Sequence, residues 1–190
     1  LVPIFSNDQK WSQTLEFAEQ IKQRLAEHLD HLRIQIDDRD NLRPGDKFFH
    51  WIQQGVPVRV EIGPRDVKQQ SAMVARRDVR DKKLVPLDEI ADHVMSLLQQ
   101  IQRDLYQRAI DFREANTRTA KSYGEFKKIL EQKGGFIQAH WNGTREVEEL
   151  IKNETKATIR CIPLNDQPEA GKCILTGEHS KQEVIFAIAY

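Results

Sequence analysis

The sequence predicts an α/β protein in which helices flank a mixed sheet. Short segments with alternating apolar residues predict strands, most clearly in residues 55–66, GVPVRVEIGPRD. Two long segments with apolar residues at three- and four-residue steps predict amphipathic helices. A strand, a helix and a second strand near the N-terminus predict a crossover with a parallel pair, whereas a short connection after residue 75 predicts an antiparallel hairpin. Both pairings together predict a mixed sheet.

Length and composition allow one domain or two small ones, since the chain has 190 residues, of which 39% are hydrophobic. The 29 basic and 29 acidic residues cancel, which argues against a general attraction to nucleic acid or membrane. Residues 59–83 nevertheless carry eight Lys or Arg against four Asp or Glu. Two cysteines, no membrane-length apolar run and no signal-peptide pattern predict a cytoplasmic chain without a membrane partner.

In the first half, residues 1–5 are expected to be the end of a strand whose beginning is cut off. A helix should start at Asn7 or Asp8 and run to Leu29, followed by a strand at 32–36 and a charged turn at 37–40. Residues 46–54 predict a short helix that ends at Gly55. The strand in 55–66 should end in a Gly-Pro turn.

A hairpin with a basic tip is expected next, with strands at 71–75 and 84–85, and Asp88 should cap a long helix. The predicted second unit contains, in order, a helix from 123, a strand at 136–141, a helix at 144–155 and strands at 158–164, 172–175 and 184–190. We expect one domain over 1–100, a helical connector over 101–120 and a smaller α/β domain over 121–190.

No catalytic motif is evident, because the chain lacks a phosphate-binding Gly-rich loop, a GxSxG turn and an HExxH helix. The acidic residues of the 37–40 segment fit either a metal site or a charged turn. Arg59 has the planar fork that suits guanine, and Lys82 suits a base edge or a phosphate. A solvated ion pair between Arg59 and Glu61 explains the same residues, and composition leaves both interpretations open.

Longer motifs point to a family. The segment DDRDNLRPGDKFFHWIQQGVPVRVEIGPRD, followed by VARRD and LVPL, resembles the anticodon-binding domain of prolyl-tRNA synthetase of the archaeal and eukaryotic-like type. The segments TIRCIPL, GKCILTG and FAIAY resemble the extra C-terminal domain of that enzyme. The resemblance implies a class IIa synthetase anticodon-binding domain followed by a small α/β C-terminal domain.

The resemblance implies that this chain reads the anticodon of tRNA(Pro). A catalytic domain elsewhere in the same polypeptide would ligate proline to the tRNA with ATP and magnesium, and the family usually forms homodimers. The chain itself would hold no cofactor and carry no catalytic residue. The alternative is a non-enzymatic RNA-binding or protein-interaction module derived from the same fold.

At matching positions, the family contacts the two anticodon guanines with an arginine and a lysine, here Arg59 and Lys82. The other candidate anticodon-binding residues are Glu61, Arg65 and Asp66. The glutamate that usually follows the tryptophan is replaced by Ile52, which accepts no hydrogen bond. One guanine contact should therefore be missing or come from Gln53 or Glu61.

The family often holds zinc with four cysteines in the C-terminal domain. The matching residues here are Asn142, Val147, Cys173 and Thr176. One thiolate does not make a tetrahedral site, so we expect no zinc, a vestigial Cys173 and a Val147 that fills the space. Cys161 should be a small buried strand residue. The terminal Tyr190 matches a family tyrosine that faces the catalytic domain, or is simply the end of a strand.

Overall fold

The computed structural model describes residues 1–4, 8–28, 32–164 and 168–188. The chain divides into two compact units, Leu1–Leu105 and Tyr106–Tyr190. Each unit contains a mixed sheet with helices, so the predicted α/β class is confirmed. Within the described ranges, none of the helices is both long enough and apolar enough to cross a membrane.

The first unit is built on a four-stranded sheet. Its elements are β1 (Val2–Pro3), α1 (Asp8–His28), α2 (Pro44–Gln53), β2 (Val58–Ile62), α3 (Pro64–Gln69), β3 (Ser71–Arg76), β4 (Lys82–Pro86) and the beginning of α4 (Ile90–Asn116). The strand order is β1-β2-β3-β4, with β1 parallel to β2 and the other pairs antiparallel. The predicted hairpin is confirmed as β3 and β4. The parallel pair predicted between residues 1–5 and 32–36 was wrong, since β1 pairs in parallel with β2.

The apolar side of this sheet is covered by α1 and the start of α4. The core contains Phe17, Ile21 and Leu25 from α1, together with Val60 and Ile62 from β2. Because successive side chains of a strand point to opposite faces, Arg59 and Glu61 lie on the other side of the sheet. The alternation therefore separates the core from the charged residues.

Several first-unit predictions were wrong in detail. Residues 32–36 form no regular strand. Among the residues that the structure describes, their backbone hydrogen bond is the one that the Leu1 amino group donates to the Gln35 carbonyl, and the adjacent Asp37 amide donates to the Leu1 carbonyl. The Gly-Pro turn continues into α3, since proline suits the first helical position and the Asp66 carboxylate accepts the Gly63 amide at 2.7 Å. Asp88 lies in a single 3-10 turn before α4.

The second unit has its own sheet and core. Its elements after α4 are β5 (Thr117–Thr119), α5 (Tyr123–Gln132), β6 (Phe136–His140), α6 (Arg145–Thr155), β7 (Ala157–Cys161), β8 (Gly171–Lys172), β9 (His179–Ser180) and β10 (Glu183–Ile188). The main sheet has the order β5-β6-β10-β7, and β8 pairs with β9. Phe126, Ile137, Ile151 and Phe186 are fully buried at its centre.

The second unit also corrects three predictions. The strand expected at 172–175 is the short β8, and β5 forms where only a boundary segment was expected. Cys161 is exposed rather than buried, because it ends β7, which lies at an edge of the sheet. Leu29 and Tyr190 lie outside the described residues.

Candidate nucleic-acid interface

Strand register brings the two predicted cations together. Arg59 on β2 lies opposite Ala75 on β3, and Ala75 lies opposite Lys82 on β4. Arg59 and Lys82 are thus two strands apart in one row, roughly 10 Å between backbones at ordinary strand spacing. The methyl group of Ala75 between them leaves room for both long side chains to meet.

They meet at Glu61, the next residue on the same side of β2. Arg59 donates to Glu61 Oε1 from Nε at 3.0 Å and from Nη2 at 2.8 Å. Lys82 Nζ lies 2.8 Å from Oε1 and 2.7 Å from Oε2. The Glu61 side chain is 9% exposed and that of Arg59 13%, whereas that of Lys82 is 42% exposed. The carboxylate is therefore enclosed, and the lysine faces solvent.

An aromatic ring from α2 completes this cluster of Phe48, Arg59, Glu61 and Lys82, which we name the recognition cluster. The Arg59 guanidinium carbon lies 4.2 Å from the centroid of the Phe48 ring, and Lys82 Nζ lies 5.3 Å from it. Both distances are within the range of cation–π attraction. Sequence reasoning missed Phe48 and Ala75, because their roles depend on helix placement and strand register.

The hydrogen-bonding geometry leaves donors directed away from Glu61. The bonds to Glu61 use Nε and Nη2 of Arg59, which form one edge of the guanidinium. The other edge carries N–H groups on both Nη1 and Nη2 and matches two acceptors side by side. One carboxylate between two cations gives the cluster a formal charge of +1. Such an arrangement can bind a base edge or a phosphate.

A second ion network fixes the other side of α2, and sequence reasoning missed it. The Asp37 carboxylate accepts from Arg39 at 2.8 and 2.6 Å and from Trp51 Nε1 at 2.8 Å. Lys47 Nζ donates to the Asp37 carbonyl at 3.0 Å and lies 4.0 Å from its carboxylate. Asp37 and Lys47 are 2% and 1% exposed. We name Asp37, Arg39, Lys47 and Trp51 the anchor network.

Charge effects in the anchor network follow from its burial. Hydrogen bonds from Arg39, helped by Trp51 and by the charge of Lys47, outweigh burial and lower the pKa of Asp37 to about 2. Burial lowers the pKa of Lys47, and Asp37 opposes that shift. The acidic turn expected at 37–40 thus contains a carboxylate that is bound by cations of its own chain. Among the described residues, no group of three or more His, Cys, Asp or Glu could hold a metal ion.

The other predicted site residues lie at different places. Arg65 is exposed on α3, and Asp66 accepts the Gly63 amide at the start of the same helix. Ile52 is 41% exposed and follows Phe48 by one helical turn, so the two share a face of α2. Gln53 is exposed at the end of α2.

In the second unit, the four positions that match a zinc site lie in two segments, with Asn142 and Val147 around the start of α6 and Cys173 and Thr176 after β8. Asn142 Nδ2 donates to Glu178 at 2.7 Å, and the Thr176 hydroxyl donates to the same carboxylate at 3.1 Å. Cys173 and Val147 are buried in the same core. Burial raises the pKa of the Cys173 thiol, but hydrogen bonds from Thr176 and from backbone amides outweigh it and lower the pKa. One thiol, one amide and one hydroxyl do not fit the ligand set of structural zinc.

Comparisons with known proteins agree with the two units. Residues 1–97 match the family model described as anticodon binding domain, and residues 123–190 match the model described as prolyl-tRNA synthetase, C-terminal. The chain is 46% identical over 193 residues to a protein of Roseiflexus sp. (strain RS-1) and 47% identical over 190 residues to one of Porphyromonas gingivalis, both named proline--tRNA ligase. A protein of the same name from Flavobacterium johnsoniae is 44% identical over 190 residues.

These alignments include 100% of this chain but only 38 to 39% of each relative. The chain therefore spans about two fifths of the length of the curated relatives it matches.

Proposed function

Because the chain belongs to the anticodon-binding domain family, we propose that it is the tRNA-reading C-terminal part of a proline–tRNA ligase. The match of residues 123–190 to the C-terminal domain of prolyl-tRNA synthetase supports the choice of proline. The observation that carries the proposal is the recognition cluster, in which an oriented arginine and an exposed lysine meet at one sheet face.

In this proposal Arg59 and Lys82 read the two anticodon guanines of tRNA(Pro). The open edge of the Arg59 guanidinium fits guanine O6 and N7, and Lys82 donates to a second base or to the backbone. Arg65, exposed on α3, adds a positive charge for the RNA backbone, while Asp66 holds the start of α3. Ile52 stands where a glutamate is expected, so the protein offers no hydrogen-bond acceptor at that position. Guanine is therefore read through the hydrogen-bond donors of Arg59 and Lys82.

The rest of the ligase belongs to the proposal as well. A catalytic domain of the same polypeptide would activate proline with ATP and magnesium, in a cytoplasmic homodimer, and Tyr190 would face that domain. The name and the greater length of the relatives support the ligase activity and the further domain. The joint presence of the GVPVRVEIGPRD segment and the C-terminal motifs supports the archaeal and eukaryotic-like type.

The test is binding of the anticodon stem-loop of tRNA(Pro), compared with stem-loops in which one guanine at a time is changed to adenine. We expect the Arg59→Ala variant to lose about 1–3 kcal/mol of binding free energy for the guanine stem-loop and little for the others. Arg103→Ala, which removes an exposed arginine from α4, is the matched control. Equal losses for all RNAs would show that Arg59 contacts only phosphate.

For the second unit we propose a domain that folds without metal. Its apolar core and the hydrogen bonds of Asn142 and Thr176 with Glu178 support this. Elemental analysis of the purified chain, with zinc added and then removed by dialysis, should give well below one zinc per chain. A stoichiometric value would contradict the proposal.

A further inference from the structure

Glu61 in the recognition cluster already has its hydrogen bonds filled from within the chain. Oε1 accepts from Arg59 Nε, Arg59 Nη2 and Lys82 Nζ, and Oε2 lies 2.7 Å from Lys82 Nζ. The side chain is also enclosed, at 9% exposed. A base that hydrogen-bonded to this enclosed carboxylate would compete with both cations, so Glu61 is poorly placed to replace the missing acceptor at position 52.

The carboxylate instead changes what the cations attract. Arg59 and Lys82 alone would present two positive charges, which favours a phosphate. With Glu61 within 3.0 Å of both, the formal charge of the three residues is +1. The Coulomb attraction for a phosphate falls, whereas the N–H groups on the other edge of Arg59, which make no hydrogen bond within the described residues, match a neutral ligand with two neighbouring acceptors.

Glu61 and Phe48 also fix the plane of the guanidinium. Glu61 binds one edge, and the Phe48 ring lies 4.2 Å from the guanidinium carbon. The Arg59 side chain is 13% exposed, so little of its conformational freedom remains to be lost on binding. An arginine held in this way favours ligands whose acceptors lie in the direction of its N–H groups. Its open edge cannot turn toward a phosphate that approaches from another direction.

We infer that Glu61 is the positioning residue that makes this site select a neutral base edge with paired acceptors, such as that of guanine, over a phosphate. The inference rests on the proposed function, because it assigns to Glu61 the specificity of the same RNA site. Glu61 acts through Arg59 and Lys82 and does not itself contact the base.

The test compares the chain with its Glu61→Gln variant on three RNAs. These are the anticodon stem-loop of tRNA(Pro), the same stem-loop with both guanines changed to adenine, and one that is abasic at both positions. Glutamine keeps the size of the side chain and removes the charge. We expect the variant to bind the adenine and abasic stem-loops about 5-fold tighter at low salt, with a slope of log K against log salt steeper by about 0.7.

The preference for guanine over adenine should fall about tenfold, since the guanidinium is no longer held against one edge. Glu16→Gln, an exposed glutamate on α1, should change neither the slope nor the preference. If Glu61 had only a structural role, the substitution would lower the stability of the fold but change neither the salt slope nor the preference for guanine. If Glu61→Gln keeps the slope and the preference of the parent chain, the inference is overturned.

A charge-restoring variant gives an independent reading even if Glu61→Gln folds poorly. Lys82→Gln alone leaves the cluster at zero charge, and Glu61→Gln combined with Lys82→Gln returns it to +1. The double variant should therefore show a slope about 0.7 steeper than Lys82→Gln and equal to that of the parent chain. Identical slopes for the single and double Lys82 variants would overturn the inference.

The failure of the two proposals can be told apart. If the parent chain itself does not prefer the guanine stem-loop, the proposed anticodon reading fails. If the parent chain prefers guanine and the Glu61 variants keep that preference and its salt slope, anticodon reading stands and only the role of Glu61 is wrong.

Discussion

The recognition cluster and the anchor network are built from similar parts and differ most in the exposure of their lysines. Each places a carboxylate between an arginine and a lysine, and each is completed by an aromatic residue of α2. The lysine of the anchor network, Lys47, is 1% exposed, whereas Lys82 of the recognition cluster is 42% exposed. The first lysine can interact only with its own chain, and the second can also reach a ligand.

The contrast between Lys47 and Lys82 shows that an ion pair does not by itself indicate function. Where both the carboxylate and the lysine are enclosed, removal of one partner leaves a buried charge, and the main effect is on stability. Where the lysine reaches solvent, the same removal leaves a hydrated charge, and the main effect is on what the surface binds. The following predictions test this distinction.

The largest effect is expected in the anchor network. Asp37→Asn should lower the free energy of unfolding by about 3–5 kcal/mol, because the change removes the charge of a buried carboxylate that binds Arg39 and lies 4.0 Å from the buried Lys47 Nζ. Urea unfolding followed by tryptophan fluorescence measures this in a Trp141→Phe background, where the remaining Trp11 and Trp51 both lie in the first unit. Asp38→Asn, at an exposed neighbour, is the control.

The matched change in the recognition cluster should matter less to stability. Glu61→Gln should lower the free energy of unfolding by about 1.5 kcal/mol or less, since Lys82 can regain water. A loss as large as that of Asp37→Asn would remove the distinction between the two clusters.

Lowering the pH should also weaken the anchor network. The pKa of Asp37 is lowered from 3.8 to about 2, so its carboxylate stabilises the fold fully above about pH 4 and loses that contribution as the pH falls toward 2. The shift corresponds to about 2.5 kcal/mol. Between pH 5 and pH 2.5, the parent chain should therefore lose more unfolding free energy than Asp37→Asn loses. Parallel pH profiles for the two proteins would contradict the assignment.

A smaller effect is expected for the exposed lysine. Lys82→Met should weaken binding of the anticodon stem-loop by about 1 kcal/mol and make the salt dependence shallower, because one phosphate or base contact is lost. Its effect on urea unfolding should stay within about 0.5 kcal/mol. Lys83→Met removes an equally charged, exposed neighbour and serves as the comparison. If Lys82→Met and Lys83→Met weaken binding equally, Lys82 contributes no more to RNA binding than its exposed neighbour.

The smallest effect concerns the aromatic ring. Phe48→Leu should weaken stem-loop binding by about 0.5–1 kcal/mol, because the guanidinium of Arg59 loses the cation–π contact that holds its plane. Phe49→Leu changes the adjacent ring, which is 62% exposed, and should leave binding unchanged. A stronger effect of Phe49 would place the RNA on a different face of α2.

The sequence was sufficient to predict the elements whose patterns are local. Alternation in 58–62 predicted β2 and put Arg59 and Glu61 on one face, and the spacing of apolar residues predicted α1. The motif resemblance supplied Lys82 as a partner for Arg59, but not the Ala75 that separates them. That arrangement depends on strand register, which a single sequence with a five-residue connection between β3 and β4 does not fix.

Other features depend on contacts between distant residues. Nothing near Lys47 in the sequence distinguishes it from a surface lysine, and its burial results from Asp37, ten residues earlier. Apolar and polar side chains alternate in residues 32–36 as they do in a strand. The neighbouring segment around β1, a strand of two residues, is too short to form a ladder of hydrogen bonds with them. Cys161 has the local pattern of a core residue and is exposed because β7 is an edge strand.

The orientation of helix α2 about its own axis connects the anchor network on one face with the recognition cluster on the next. Lys47 and Trp51, four residues apart, face Asp37, and Phe48 and Ile52 occupy the adjacent face. Because the first face fixes the helix about its axis, substitutions on the second face can accumulate without loss of the fold. Ile52 lies on that second face and is 41% exposed, so we expect position 52 to accept other side chains, charged ones included, without a change of fold.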